Sequence, residues 1–194
     1  MHITAIVTLI AWSTDGSAAL LNAAENGPEG GGSDAYVIAA AGAPLTSFLL
    51  SSTFSPGNGS TPQSVPAKKC RAAASALGKR LAAAGFSGVA VKPAACSGGD
   101  RGAAVRVSPS VAAAVESSRL HGQGTLVEKA GVVVRMDESG VVLERPGEPA
   151  THYAHKGAPA PKAIAAALSP SGRLCVVLAD DGDDSWFLYG AFAP

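Results

Sequence analysis

A chain of 194 residues can bury roughly 70% of its unfolded surface and needs neither metal nor disulfide merely to fold. Its fifteen basic and fifteen acidic residues cancel, so no global field draws it to nucleic acid or to an anionic membrane. Its two Trp, three Tyr and five Phe leave few platforms for stacking on bases or sugars.

From the N-terminus, Ile3–Trp12 is apolar but lacks a basic leading region, contains Thr4 and Thr8, and runs into a turn, which makes it a strand rather than a secretion signal. Ala18–Ala23, Tyr36–Ala40 and Leu45–Leu50 are further strand runs. Between the second and third lies the glycine cluster Gly27, Gly30, Gly31 and Gly32. It lacks the Gly-Lys-Ser/Thr ending of a phosphate loop and is followed by a strand, so it reads as a hairpin loop. A polar Ser/Gly/Pro stretch over 51–66 marks a boundary; Asn58-Gly59-Ser60 within it fits a glycosylation sequon, a pattern short enough to arise by chance.

Cys70, Ala73, Ala74, Leu77, Leu81 and Ala84 then recur at helical spacing, which predicts a long helix over 67–84. Gly85 is its left-handed C-cap, with Phe86 folding back on the last turn. Lys68, Lys69, Arg71, Lys79 and Arg80 read as solvated charges, the last two complementing the helix C-terminus. A strand at Gly88–Lys92 and another at Ala103–Val107 follow, and Ser108-Pro109 starts a short helix over about 109–118. Thr125–Lys129, the hairpin Val132–Val134/Val141–Leu143, a proline-bearing linker over 146–161, and the hairpins around Ser169–Gly172 and Asp180–Asp184 complete the chain.

The turns Ser13-Thr14-Asp15-Gly16, Ser169-Pro170-Ser171-Gly172 and Asp137-Glu138-Ser139-Gly140 end alike. A type I turn closed by a left-handed residue suits glycine, and Pro170 pre-sets the first torsion. Neighbouring strands joined by such turns predict an α+β protein: antiparallel hairpins at both ends around a central ferredoxin-like βαββαβ segment. The regions are 1–51, 52–120 and 121–194, packed as one compact unit. The expected core holds Ile6, Leu9, Trp12, Leu20, Val37, Leu77, Leu81, Val89, Val105, Val133, Val142, Leu168, Val176 and Phe187.

Two partial resemblances accompany these patterns. Ala76–Phe86, the strand after it and Val105-Arg106-Val107-Ser108-Pro109 resemble the SPOR domain over about 45–134. That likeness implies a βαββαβ module that binds bare glycan strands of peptidoglycan. Ile10–Gly16 and Ala167–Arg173, within 10–21 and 167–178, resemble the hairpin turns of TolB-type β-propeller blades. A closed propeller needs four or more blades of about 40–45 residues, and the two predicted helices interrupt that period, so this likeness is confined to the turns.

The chemistry-bearing residues do not form a familiar catalytic set. Cys70 and Cys96 are the candidate disulfide, with Cys175 a small buried hydrophobe in a strand. Asp180, Asp181, Asp183 and Asp184 could gather around a cation, but they lack the spacing of a calcium loop and suit a polar hairpin turn. His152 and His155 lie in the linker, and His121 in a loop. No Gly-x-Ser-x-Gly elbow, His-Glu-x-x-His or Cys-x-x-Cys occurs. These features predict no cofactor, a protein or glycan partner, no nucleic acid and no transmembrane segment. The compartment is the periplasm or exterior if an export signal has been removed, and otherwise the cytoplasm.

Overall fold

A computed structural model describes residues 4–26, 32–44, 46–53, 67–93, 103–111, 119–121, 124–129, 131–137, 140–154, 164–180 and 186–194. Four strands, β1 (Thr4–Trp12), β2 (Ala18–Asn26), β3 (Gly32–Ala40) and β4 (Thr46–Thr53), form an antiparallel N-terminal meander. A helix, α1 (Ala67–Ala83), leads to a two-stranded ribbon of β5 (Val89–Pro93) and β6 (Ala103–Val107). After β7 (Arg119–His121), a second meander joins β8 (Gly124–Lys129), β9 (Val132–Asp137), β10 (Gly140–Glu144) and β11 (Thr151–Ala154). The closing sheet has the order β14 (Trp186–Phe192), β13 (Cys175–Asp180), β12 (Ile164–Leu168), β7.

Every pairing among the described strands is antiparallel; most join chain neighbours across short connections, whereas β7 pairs with β12 across the whole second meander. The central segment differs from the ferredoxin-like expectation. β4 completes the N-terminal sheet, β8 joins β9, and β5 pairs with β6 in a sheet of its own, so these strands do not share one sheet. The physical reason is local: β4 reaches β3, and β8 reaches β9, across short connections, whereas pairing either with the ribbon would require closing a much longer loop. Of the second predicted helix, residues 109–111 are helical and the remainder lie outside the described residues. No helix among the described residues is long and apolar enough to cross a membrane.

The layers stack in the order second meander, closing sheet, N-terminal meander, and α1 with its ribbon. Val132, Val134, Val141 and Leu143 pack against Ala166, Leu168, Cys175, Val177 and Ala179. The other face of the closing sheet, through Ala167, Leu174 and Val176, meets Leu9, Trp12, Ala19, Leu21 and Ala39. The opposite face of the N-terminal sheet, through Ala11, Ala18, Leu20 and Tyr36, meets Leu77, Leu81 and Phe86. β13 is thus buried on both faces, which is why Cys175-Val176-Val177-Leu178-Ala179 is apolar without alternation.

Of the expected core, Leu9, Trp12, Leu20, Leu77, Leu81, Val142, Leu168 and Val176 are buried, whereas Val37, Val89, Val105 and Val133 are half-buried. The Ile6 and Phe187 side chains lie outside the described residues. At β9 the inward residues are Val132 and Val134, flanking the expected Val133. Three consecutive valines carry no alternation, and only the pairing with β10 fixes which of them face in.

Candidate functional site

The hairpin turns at Ser13–Gly16 and Ser169–Gly172 have the same internal construction. Ser13 N–H donates to the Ala18 carbonyl (2.8 Å) and Gly16 N–H to the Ser13 carbonyl (2.9 Å); Ser169 N–H donates to the Leu174 carbonyl (2.8 Å) and Gly172 N–H to the Ser169 carbonyl (2.9 Å). In each, the leading serine is buried and its Oγ accepts a backbone N–H of the returning strand: from Ala18 at 2.8 Å, and from Leu174 at 3.1 Å. Gly16 and Gly172 have φ of 71° and 70°, the left-handed conformation expected of them. Gly140 has φ of 141°, a positive value that likewise favours glycine but lies away from the left-handed value of about +57°.

The two turns meet. Ser171 Oγ donates to the Asp15 carbonyl oxygen at 3.1 Å, and a Cβ on Gly16 would stand against Ser171 Oγ and 3.1 Å from Ser169 Oγ. On one side, the Gly85 carbonyl accepts both the backbone N–H and the hydroxyl of Thr14, each at 2.8 Å, and Ser87 Oγ lies 3.0 Å from Thr14 Oγ1. With the Thr14 proton already committed to Gly85, Ser87 is the donor of that last bond. On the other side, Arg145, next after β10, donates from Nη2 to the Gly172 carbonyl at 3.0 Å. The four structural layers are therefore joined edge to edge by one polar seam running Ser87/Gly85, Thr14/Asp15, Ser171/Gly172, Arg145.

Asp15 is the exposed carboxylate of this seam, and one of its oxygens carries most of its hydrogen bonds. Oδ1 accepts from the Ser13 hydroxyl (2.8 Å), the Ser17 N–H (3.0 Å) and the Ser17 hydroxyl (2.8 Å). These bonds, led by the Ser17 N–H, hold its pKa at about 2, below the usual 3.8. A depressed carboxylate pKa contributes stability above its unfolded value, and that contribution is lost as pH falls through the folded value. The wild type is therefore expected to lose stability between pH 3.8 and about 2 more steeply than Asp15→Asn, as read from urea midpoints. Superimposable pH profiles would contradict this role.

Among the described residues, two buried donors at or beside the seam have no hydrogen-bond partner: Trp12 Nε1 and Arg145 Nε. The Trp12 indole is 4% exposed between the N-terminal and closing sheets, so its burial is an apolar packing contribution bearing one unsatisfied N–H.

The described residues among those singled out in the sequence lie elsewhere, on separate elements. Cys70 is in the first turn of α1, and Cys96 lies outside the described residues, as do Asp181, Asp183, Asp184 and His155. Asp180 ends β13, paired with Trp186. His152 is exposed on β11, paired with Val142, while His121 ends β7, paired with Ala165 of a different sheet. The expected linker is thus interrupted by a strand at Thr151–Ala154, which is compatible with its prolines because β11 is an edge strand and Pro149 precedes it. No group of three or more His, Cys, Asp or Glu able to hold a metal occurs among the described residues.

Cys175 is fully buried, and desolvation pushes its thiol up to about 12. Native protein at neutral pH is expected to protect this thiol from iodoacetamide until it unfolds; alkylation of Cys175 at the rate seen in urea would contradict its burial.

The seam residues Thr14, Ser87, Ser171 and Arg145 are not legible as a group in the sequence, because they are contributed by four separate elements. The only signal is the repeated Ser-x-x-Gly turn. No protein-family model matches this chain, and comparisons with curated proteins and with solved structures likewise give no match.

Proposed function

We propose that this is a non-catalytic binding or scaffold protein of a bacterial cell envelope. The observation that carries the reading is the use to which the converging polar groups are put. Ser13, Thr14, Ser169 and Ser171 spend their hydroxyls on holding turns and joining layers, and the Asp15 carboxylate accepts from Ser13 and Ser17 within its own turn. A nucleophile or general base needs a free proton or lone pair within reach of a reacting group. The described histidines, on β7 and β11, add to this because their strands belong to different sheets.

The envelope assignment rests on the resemblance of the segments at 45–134, 10–21 and 167–178 to SPOR and TolB-type sequences. The discriminating experiment incubates the purified chain with purified peptidoglycan, and in parallel with chromogenic ester, amide and glycoside substrates. A scaffold gives neither retention nor turnover, and cross-linking in envelope fractions captures it in a stoichiometric complex. Retention on peptidoglycan selects glycan-strand binding instead. Turnover abolished by His152→Ala or His121→Ala selects a hydrolase and overturns the reading.

A further inference from the structure

The whole-chain charge balance conceals a segregation. Residues 67–111 hold eight of the fifteen basic residues and one of the fifteen acidic ones, a net of +7 against −7 for the rest of the chain. The described residues of this stretch, 67–93 and 103–111, form a module at one end of the layer stack: α1, its Gly85 cap and the β5–β6 ribbon. The module turns its apolar side inward, with Leu77, Leu81, Phe86, Val89, Val91, Val105 and Val107 packed toward the N-terminal sheet. Strand alternation then sends Lys92 and Arg106 to the other face of the ribbon, where both are exposed. Lys92 pairs with Ala104 and Ala90 with Arg106, so the two cations are diagonal neighbours on that face. Arg71 and Lys79 are exposed on α1. No acidic residue occurs among the described residues of the module.

We propose that the α1–β5–β6 module is a docking face for an anionic phospholipid surface. Charge complementarity identifies the occupant: juxtamembrane cations are attracted one by one to an anionic leaflet, within about a Debye length. The −7 remainder orients the molecule, module toward the lipid. Duplex or single-stranded nucleic acid is disfavoured by two observations. Phe86, the module's one aromatic residue, is 1% exposed and offers no stacking platform. A long polyanion reaching past the module would also meet the acidic remainder. This inference is independent of the scaffold reading, since a catalytic protein could dock in the same way.

The test is co-sedimentation of the full chain with phosphatidylglycerol/phosphatidylcholine vesicles, with pure phosphatidylcholine vesicles, and with a duplex DNA competitor. The expected result is binding to the anionic vesicles alone, reversed by raising salt and resistant to the duplex. Lys79→Gln/Lys92→Gln/Arg106→Gln should weaken it on the order of 100-fold, whereas Arg135→Gln/Arg173→Gln, outside the module, should leave it close to wild type. Absence of anionic-vesicle binding, insensitivity to salt, equal loss in both variants, or displacement by the duplex would each overturn the proposal. The salt dependence of the wild type needs no variant and decides the electrostatic part by itself.

Discussion

Gly16→Ala is expected to destabilise the protein by about 2–5 kcal/mol, as read from the shift in urea midpoint. Two costs combine. A φ of 71° disfavours any side chain with a Cβ by roughly 1–2 kcal/mol. The new methyl also stands against Ser171 Oγ, in a turn anchored by the fully buried Ser169, and overpacking of this kind costs about 1–3 kcal/mol. Gly42→Ala separates the two, because Gly42 has φ of 69° but nothing within 4 Å of the place its new methyl would occupy. It should show the conformational cost alone. Equal losses at Gly16 and Gly42 would mean that the two hairpin turns do not press together.

Phe86→Ala should cost about 3–5 kcal/mol, the range for emptying a large aromatic site in a core. Phe86 is 1% exposed and joins α1, the ribbon and the N-terminal sheet in one cluster. It also completes the helix stop: Phe86 N–H donates to the Leu81 carbonyl (2.9 Å) and Gly85 N–H to the Ala82 carbonyl (3.1 Å), the paired bonds of a Schellman motif around Gly85 at φ 85°. Thermal unfolding followed by circular dichroism measures the loss. A change below about 1 kcal/mol, the range of surface substitutions, would place Phe86 outside the core.

That cap shows what kind of feature a single sequence discloses. Gly85 and Phe86 follow directly on the helical spacing of Leu77 and Leu81, so stop signal and core contact lie within one short window. The Gly16 and Gly172 turns are legible for the same reason. The seam is not, because Thr14 and Gly85 are 71 residues apart, and Ser171 and Asp15 156 apart, and serine, threonine and glycine are common surface residues with no pattern that names a distant partner. The ferredoxin-like arrangement shows a related limit. The order of strands and helices in the middle of the chain is readable, but sheet membership depends on which neighbour each strand reaches first, and β4 stays with β3. The basic module is hidden by averaging: fifteen charges of each sign sum to zero over the chain while one end of the stack remains positive.

The hairpin turns at Ser13–Gly16 and Ser169–Gly172 form a structural seam that joins the layers. Native-state hydrogen exchange measures this directly, at the amides of Thr14 and Ser169. Thr14 N–H is bonded across layers to the Gly85 carbonyl, and Ser169 N–H closes the turn before β13. The Thr14 amide should exchange with an opening free energy close to those of Val176 and Val177 in the doubly buried strand, because releasing it requires separating the layers, whereas the Ser169 amide, bonded within its own turn, reports the opening of that turn. Exchange of the Thr14 amide near the rate of an unstructured chain, with β13 still protected, would contradict the seam.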